Sequence, residues 1–249
     1  YRGSCKTVPL CQNVTYRSTL DKLRGIRRQP MPTPQEILEN AYRKARADAR
    51  TSLVESEETR TRIELVCRNV ANRAVVRLLL ACSLAKADKP NVDIRKPYTA
   101  IEGANTYSGR NYDETYIGAF VIAYRLPCNQ TTAFLTPALR NQSEPLTPET
   151  NLEGRPAAVY QAALQLLTEV HEQILSAEDL LAETIRWLLV VQEENQQRTN
   201  TMLASLKATE GATPLASEAI VTLIEQHLKT KGASRLPVLV VAAAYQSAG

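Results

Sequence analysis

The sequence lacks the motifs by which most nucleotide-dependent and hydrolytic enzymes are recognised. It contains no match to the phosphate-binding patterns GxxxxGK[ST] and GxGxxG, the metalloprotease pattern HExxH or the nucleophile pattern GxSxG. Histidine is nearly absent, since the 249 residues include only His171 and His227, which lie far apart in sequence. An ATPase, a dinucleotide-binding enzyme and the common hydrolases therefore have no support in the sequence.

Cysteine is scarce and scattered. The chain has an odd number of cysteines, five, at positions Cys5, Cys11, Cys67, Cys82 and Cys128. This distribution favours reduced thiols, as in a cytoplasm, over a disulfide framework. Cys5 and Cys11 have no second close pair that could complete a zinc site. We therefore expect a cytoplasmic protein and no metal site within this chain.

Acidic residues occur in adjacent pairs: Asp113 with Glu114, Glu178 with Asp179, and Glu193 with Glu194. Adjacent residues of a helix point in different directions, so these carboxylates do not easily share a proton or a metal ion. We expect all three pairs to lie on solvated helix faces, and His171 to be a surface or packing residue and not a general base. The residues alone thus predict no catalytic site.

Glycine is also scarce, with nine residues, whereas Ala, Leu, Glu and Arg are abundant. These four residue types lose little conformational freedom in a helix, so the composition favours helix over sheet. No apolar run reaches the roughly 18 residues that span a bilayer, and no secretory signal is present. We expect a mainly α-helical, soluble protein, a multi-helix bundle without a membrane partner.

Caps and apolar spacing predict the individual helices. Thr33, Pro34 and Glu36 form a capping box that starts a helix running to about residue 50. A second, longer helix is predicted over about residues 57–86, burying Ile63, Val66, Cys67, Val70, Leu78 and Leu79. Further helices are predicted after Pro156, over about 176–207 and over about 220–228. No fixed-period repeat is present, which excludes a solenoid.

The stretch from residue 93 to residue 141 is unusually rich in polar and aromatic residues. Apolar residues between Ser108 and Arg125 recur every three or four positions and predict an amphipathic helix, in which Tyr112, Tyr116 and Tyr124 are core residues. Residues 126–129 break the pattern, and residues 130–135 could form a short second helix. This order is that of a helix-turn-helix-like element, which places its second helix in a DNA major groove.

The same stretch carries side chains suited to DNA. Arg forms paired hydrogen bonds with guanine, Asn with adenine, and Ser or Thr with phosphate. The candidate contacts are Lys96, Ser108, Arg110, Asn111, Asn129, Thr131, Thr132, Arg140 and Asn141. A purely structural alternative remains open, in which Ser108 and Asn129 cap helices and Arg110 pairs with Asp113 or Glu114.

Charge is distributed unevenly along the chain. Residues 1–30 contain seven Lys or Arg against Asp21 alone, whereas residues 142–229 contain thirteen acids against five bases. Arg27 and Arg28 could hold phosphates, or could simply form a solvated surface. We divide the chain into a basic arm (1–30), a helical DNA-recognition candidate (31–150), an acidic helical region (151–232) and a final apolar segment (233–249).

Five long motifs carry a resemblance to a known family: DIRKPYTAI, YSGRNYDETYI, LPCNQTTAFLTPALRN, SAEDLLAETIR and SRLPVLVVAAAYQ. In these motifs, which span most of residues 90–249, the chain resembles the SacI family of type II restriction endonucleases. The resemblance implies a bacterial restriction-modification enzyme that cuts double-stranded DNA at a short symmetric sequence. It further implies a nuclease domain of the PD-(D/E)XK type that uses Mg²⁺.

In that family the catalytic acids and lysine follow the AAAYQ segment, and this chain ends at Gly249. The resemblance therefore implies an amino-terminal, non-catalytic part, in which residues 233–249 begin a nuclease domain and no Mg²⁺ is held. Asp93 and Lys96 lie beside prolines and are not a substitute for the missing site. Three alternatives remain: a helical scaffold for a homodimer formed by residues 156–229, a DNA-binding module without nuclease activity, and an intact enzyme with an unfamiliar active site.

Overall fold

A computed structural model describes residues 32–47, 51–208 and 225 of the chain. Within these ranges the protein is helical and contains no β-strand. The α-helices are α1 (Pro34–Ala47), α2 (Glu57–Arg68), α3 (Ala74–Asp88), α4 (Gly109–Tyr112), α5 (Gly118–Ala123), α6 (Ala157–His171) and α7 (Ala177–Ala208). A π-helical turn, Asp113–Ile117, joins α4 to α5, and two 3-10 turns cover Val70–Asn72 and Ala133–Leu135.

Helix α3 lies at the centre of the core. Its residues from Ala74 to Ala85 are all buried, including the polar side chains of Arg77 and Ser83. A helix that is apolar on every side needs neighbours on every side. Helices α1, α2, α4, α6 and α7 supply them, together with the π-helical turn and the second 3-10 turn. The mainly helical class expected from the composition is therefore confirmed for the described residues.

Helix α7 joins the acidic part of the chain to the rest of the core. Its first half buries Leu180, Leu181, Ile185 and Leu188, and the helix packs against α1, α2 and α3. The boundary drawn between residues 150 and 151 thus separates two charge compositions that share one core. No helix among the described residues is both long enough and apolar enough to cross a membrane.

The capping box predicted at Thr33 forms, and a serine side chain caps the start of α7. At the start of α1, the Thr33 amide donates to Glu36 Oε2 at 2.7 Å, and the Glu36 amide donates to Thr33 Oγ1 at 3.3 Å. At the start of α7, the Asp179 amide donates to Ser176 Oγ at 2.9 Å. Both the reciprocal bonds of Thr33 with Glu36 and the bond to Ser176 satisfy amides that have no partner within the first helical turn.

The single long helix predicted over residues 57–86 is wrong. Helix α2 ends at Arg68, and the extended Asn69 accepts a hydrogen bond from the Asn72 amide at 3.0 Å, which starts a 3-10 turn before α3. An Asn side chain competes in this way with helical hydrogen bonds. The break leaves Val70 53% exposed, contrary to the prediction, whereas the other five residues expected in the core are buried.

Several predicted features fall outside the described residues. They are the basic arm, the amphipathic segment over 220–228 apart from Glu225, and the apolar segment over 233–249.

A buried ion pair ties α7 to the segment that precedes α2. Glu183 accepts hydrogen bonds from Arg186 Nε at 2.9 Å and Nη2 at 2.6 Å, and also from the Leu53 amide at 2.9 Å and Ser52 Oγ at 3.0 Å. Burial alone raises the pKa of Glu183. The hydrogen bonds from Arg186 and Leu53 outweigh burial and hold that pKa below its ordinary value.

Glu183→Gln should destabilise the protein by about 3 kcal/mol at neutral pH, because it removes the charged half of a buried ion pair. Since the folded-state pKa of Glu183 is lowered, its stabilisation is present above the ordinary value of 4.5 and is lost as the pH falls through the folded-state value. Urea unfolding should therefore show a difference between wild type and variant that shrinks as the pH falls below 4.5 and through the lowered folded-state pKa.

The matched control is Glu178→Gln, an exposed glutamate in the first turn of the same helix. It should change the free energy of unfolding by less than about 0.5 kcal/mol. A Glu183→Gln effect that stays constant from neutral to acidic pH contradicts the stabilising role of the ionised pair.

Candidate nucleic-acid interface

Two irregular segments, residues 93–108 and 125–146, pack against each other. The Gly109 amide donates to the Pro97 carbonyl at 2.8 Å, and Tyr98 Oη donates to the Leu139 carbonyl at 2.6 Å. The rings of Tyr98 and Phe134 pack edge to face, with centroids 5.7 Å apart. These contacts place the start of α4, the second 3-10 turn and the following loop side by side.

Gly109 is the closest point between these segments. A Cβ atom added at this position would lie 2.5 Å from Phe134 Cζ and 2.8 Å from Pro97 Cβ. Only glycine lets the helix begin directly against the phenylalanine ring, so α4 is held close to the 3-10 turn.

Asp93 fixes the first segment. Its carboxylate accepts hydrogen bonds from the amide and side chain of Arg95 at 3.0 to 3.1 Å, and Oδ1 lies 3.2 Å from Nδ1 of His171. Burial raises the pKa of Asp93, but the Arg95 hydrogen bonds and the neighbouring His171 outweigh it, so the pKa is lowered. Asp93 thus acts as a loop anchor, and His171 lies at the surface beside it.

Three sequence-predicted contacts lie at the start of α4. Ser108 caps the helix, since its Oγ accepts from the Asn111 amide at 3.2 Å. Arg110 is 53% exposed, and its Nε donates to Glu114 Oε1 at 2.8 Å. No described residue accepts a hydrogen bond from the terminal nitrogens of Arg110, so its paired donors face solvent. Asn111 is exposed, and its Oδ1 accepts from Thr115 Oγ1 at 3.4 Å.

The structural alternative is therefore observed in part, for Ser108 and Arg110. An exposed pair such as Arg110 with Glu114 contributes little stability, and Arg110 can exchange it for another acceptor at small cost.

The loop after α5 differs from its prediction. Residues 130–135 form no second α-helix; they contain only the 3-10 turn Ala133–Leu135, in which Ala133 and Phe134 are buried. Such a short, half-buried turn does not provide a recognition helix. Asn129 does not cap this turn, because Thr132 is its N-cap. The backbone carbonyl of Asn129 instead accepts a hydrogen bond from Arg77. Thr131 is exposed, whereas Thr132 is buried and caps the turn.

The remaining predicted contacts lie nearby. Arg140 and Asn141 are both exposed, and the Arg140 amide donates to the Thr136 carbonyl at 2.9 Å. Asn141 has a φ of 57°, a conformation that Asn tolerates better than most residues. Lys96 is partly buried, with Nζ 3.5 Å from the Glu102 carbonyl. Arg27 and Arg28 lie outside the described residues.

A buried arginine beneath this surface was missed by the sequence analysis. Arg77 Nε donates to Asp113 Oδ1 at 2.8 Å, and the two side chains are 3% and 0% exposed. The expectation that Asp113 lies on a solvated face is thus wrong. Burial raises the pKa of Asp113, and the hydrogen bonds from Thr132 and Arg77 oppose it only in part. A single Arg within the apolar run AVVRLLLACSLA was the signal in the sequence.

The predicted core tyrosines behave largely as expected. Tyr112 is buried, and Tyr116 and Tyr124 are half-buried. Tyr124 packs on Tyr42 of α1 with ring centroids 4.0 Å apart, which joins α5 to the first helix.

The described residues contain no group of three or more His, Cys, Asp or Glu side chains placed to hold a metal ion. Comparison of the chain with known protein families and with curated proteins gives no match. An interpretation of function therefore depends on the arrangement of the candidate DNA contacts. This arrangement consists of exposed Arg, Asn and Thr side chains, some on the short helix α4 and some on the irregular segment 125–146, above the buried contacts of Arg77.

Gly109→Ala should lower the free energy of unfolding by about 1 to 3 kcal/mol, because the added methyl group overlaps the Phe134 ring and Pro97. Urea unfolding of a double-mutant cycle with Phe134→Leu checks the cause. If the ring is the obstacle, the methyl group should cost less in the Phe134→Leu background than in the wild type. Equal costs in both backgrounds contradict the assigned contact.

Proposed function

We propose that this chain is the DNA-reading part of a type II restriction endonuclease that cleaves double-stranded DNA at a short symmetric sequence. The observation that carries the proposal is a set of exposed, DNA-compatible side chains on braced segments: Arg110, Asn111, Thr131, Arg140 and Asn141. Base reading requires side chains held on a rigid support. Here that support is the buried Arg77, which is paired with Asp113 and bonded to the carbonyls of the following loop. The class of reaction in this proposal rests on the resemblance of the sequence motifs to the SacI family.

The side chains divide by chemistry. The terminal nitrogens of Arg110 and Arg140 suit the two acceptors of guanine, and the amides of Asn111 and Asn141 suit adenine. Thr131 and Lys96 suit phosphate oxygens, which position a protein without reading sequence. The hydroxyl groups of Ser108 and Thr132 are occupied in caps, so under this proposal these two residues support the surface. Asn129 supports it through its backbone carbonyl, which accepts from Arg77.

We assign no catalytic residue to this chain. Under the proposal, hydrolysis of the phosphodiester bond with Mg²⁺ belongs to the PD-(D/E)XK domain of the parent enzyme, which acts in the bacterial cytoplasm. A symmetric target further suggests that two copies act together, each reading one half of the site.

Selection from a pool of randomised duplexes at two salt concentrations tests the proposal. We expect the 249-residue chain to enrich a short palindromic sequence. Arg110→Ala or Arg140→Ala should then reduce affinity for that duplex by about 1 to 3 kcal/mol and relax selection at one base pair. Binding that depends only on salt, with no enriched sequence, contradicts the proposal.

Arg46→Ala is the charge-matched control, because Arg46 is exposed in the last turn of α1. This change should leave sequence selection intact and alter affinity no more than a phosphate contact does. Equal losses for Arg46, Arg110 and Arg140 on all duplexes would indicate that these arginines contribute only through their charge.

A second function, a dimerisation scaffold, is favoured by the shape of α7. The helix has 32 residues and a length of about 48 Å at 1.5 Å per residue, and among the residues whose burial the structure describes the last buried one is Val191. At the point where it leaves the core, Glu194 accepts from Nη1 and Nη2 of Arg68 at 2.8 and 2.9 Å. A helix that continues beyond the core and is tied to α2 where it leaves the core is a suitable element for pairing with a second copy.

Light scattering and thermal unfolding of Gln197→Pro test the scaffold. Proline breaks the helix at this position, which is beyond the buried half, so a dimer should become a monomer while the core unfolds at nearly the same temperature. A strictly monomeric wild-type chain at high concentration contradicts the scaffold function.

A further inference from the structure

We propose that Arg77 is a positioning residue for DNA reading: it fixes the loop that presents Thr131 and, through Asp113, the helix that presents Arg110 and Asn111. This inference rests on the proposed function and identifies the residue that fixes the positions of the side chains proposed to contact DNA. Arg77 itself is buried and does not reach DNA.

One guanidinium group makes four contacts. Nε donates to Asp113 Oδ1 at 2.8 Å, and Nη2 donates to the Asp113 carbonyl at 3.3 Å. Nη1 donates to the carbonyls of Asn129 at 3.0 Å and Gln130 at 2.7 Å. The planar, multi-donor shape of arginine allows this, whereas the single nitrogen of lysine could not span all four acceptors.

The contacts to Asn129 and Gln130 determine where Thr131 points. Two consecutive carbonyls held by one nitrogen fix two consecutive peptide planes, because each plane has little internal freedom. On the other side, Thr132 is buried and accepts from the Phe134 amide at 3.4 Å. Thr131 therefore lies between two fixed points and is itself exposed.

The contacts to Asp113 extend the same anchor to α4. Asp113 follows Arg110 and Asn111 within one turn and begins the π-helical turn. Its carbonyl accepts from the Gly118 amide as well as from Arg77. A Cβ at Gly118 would lie 3.3 Å from Arg77 Nη2, so the glycine leaves room for the guanidinium.

Stability alone does not require this arrangement. A buried ion pair is generally no more stabilising than apolar residues of similar volume, because both charges lose their hydration. What apolar residues cannot do is hold two carbonyls of a loop that has no regular secondary structure. Arg77 therefore has a geometric role that a hydrophobic substitute would lose.

The test compares a charge-free double variant, Arg77→Met with Asp113→Leu, with the wild-type chain. Removal of both charges leaves no unpaired buried ion, so the fold should persist, as followed by circular dichroism and cooperative unfolding. Hydrogen exchange should become faster in peptides covering residues 128–132. Affinity for the selected duplex should fall about tenfold, the loss of one base contact, while affinity for an unrelated duplex changes less than about twofold.

A matched control removes the other buried pair, with Glu183→Leu and Arg186→Met in one chain. That pair anchors residues 52 and 53, away from the proposed surface. Compared with the wild type at equal fraction folded, this variant should keep its selectivity for the enriched duplex. An equal loss of selectivity in both double variants assigns the effect to general destabilisation and overturns the proposal.

Arg77→Lys serves if the double variant does not fold. Lysine keeps the positive charge beside Asp113 but releases at least one loop carbonyl, so the variant should fold and still lose selectivity. If either Arg77 variant is folded and keeps the wild-type ratio of specific to non-specific affinity, Arg77 is a core residue only. A wild-type chain that selects no sequence removes the proposed function, and this inference with it.

Discussion

The guanidinium of Arg77 joins three parts of the chain that are far apart in sequence: the central helix α3, the π-helical turn at Asp113 and the loop at residues 129 and 130. Removing a charged group from water is costly, and the cost is offset here by hydrogen bonds from the guanidinium to one carboxylate and three backbone carbonyls. This buried contact fixes the backbone beneath the surface that is proposed to contact DNA. Of the exposed side chains proposed to read DNA, Arg110 and Asn111 lie on the short helix α4, and Thr131, Arg140 and Asn141 lie on a segment with little regular secondary structure.

The irregular segments are ordered because their polar groups find partners. Tyr107 Oη donates to the Ile94 carbonyl at 2.7 Å, and Lys86 Nζ donates to the carbonyls of Pro90 and Val92 at 2.7 and 2.8 Å. Tyr98 closes the gap to the Leu139 carbonyl from the other side. Each side chain replaces a helix or strand hydrogen bond that the loop backbone lacks. A firm platform of this kind suits base recognition, where an error in placement loses the paired hydrogen bond.

The helix caps could be predicted from the sequence, because they depend on residues that are close together in it. The capping box at Thr33 formed because its partner, Glu36, lies three positions away. The break at Asn69 is also local, but apolar spacing on both sides masked it. The burial of Asp113 could not be predicted, because it depends on Arg77, 36 positions earlier, and on a helix packed on every side. The absence of a second helix after Pro127 has the same origin, since Arg77 and Phe134 hold that loop in another conformation.

The most direct measurement of the central claim is hydrogen exchange of the chain with and without its selected duplex, followed by mass spectrometry of overlapping peptides. If these segments read DNA, protection should concentrate in peptides covering residues 108–111, 129–132 and 139–142, with α2 and α6 unchanged. Protection confined to other parts of the chain, or no change in any peptide at saturating duplex, would contradict the account.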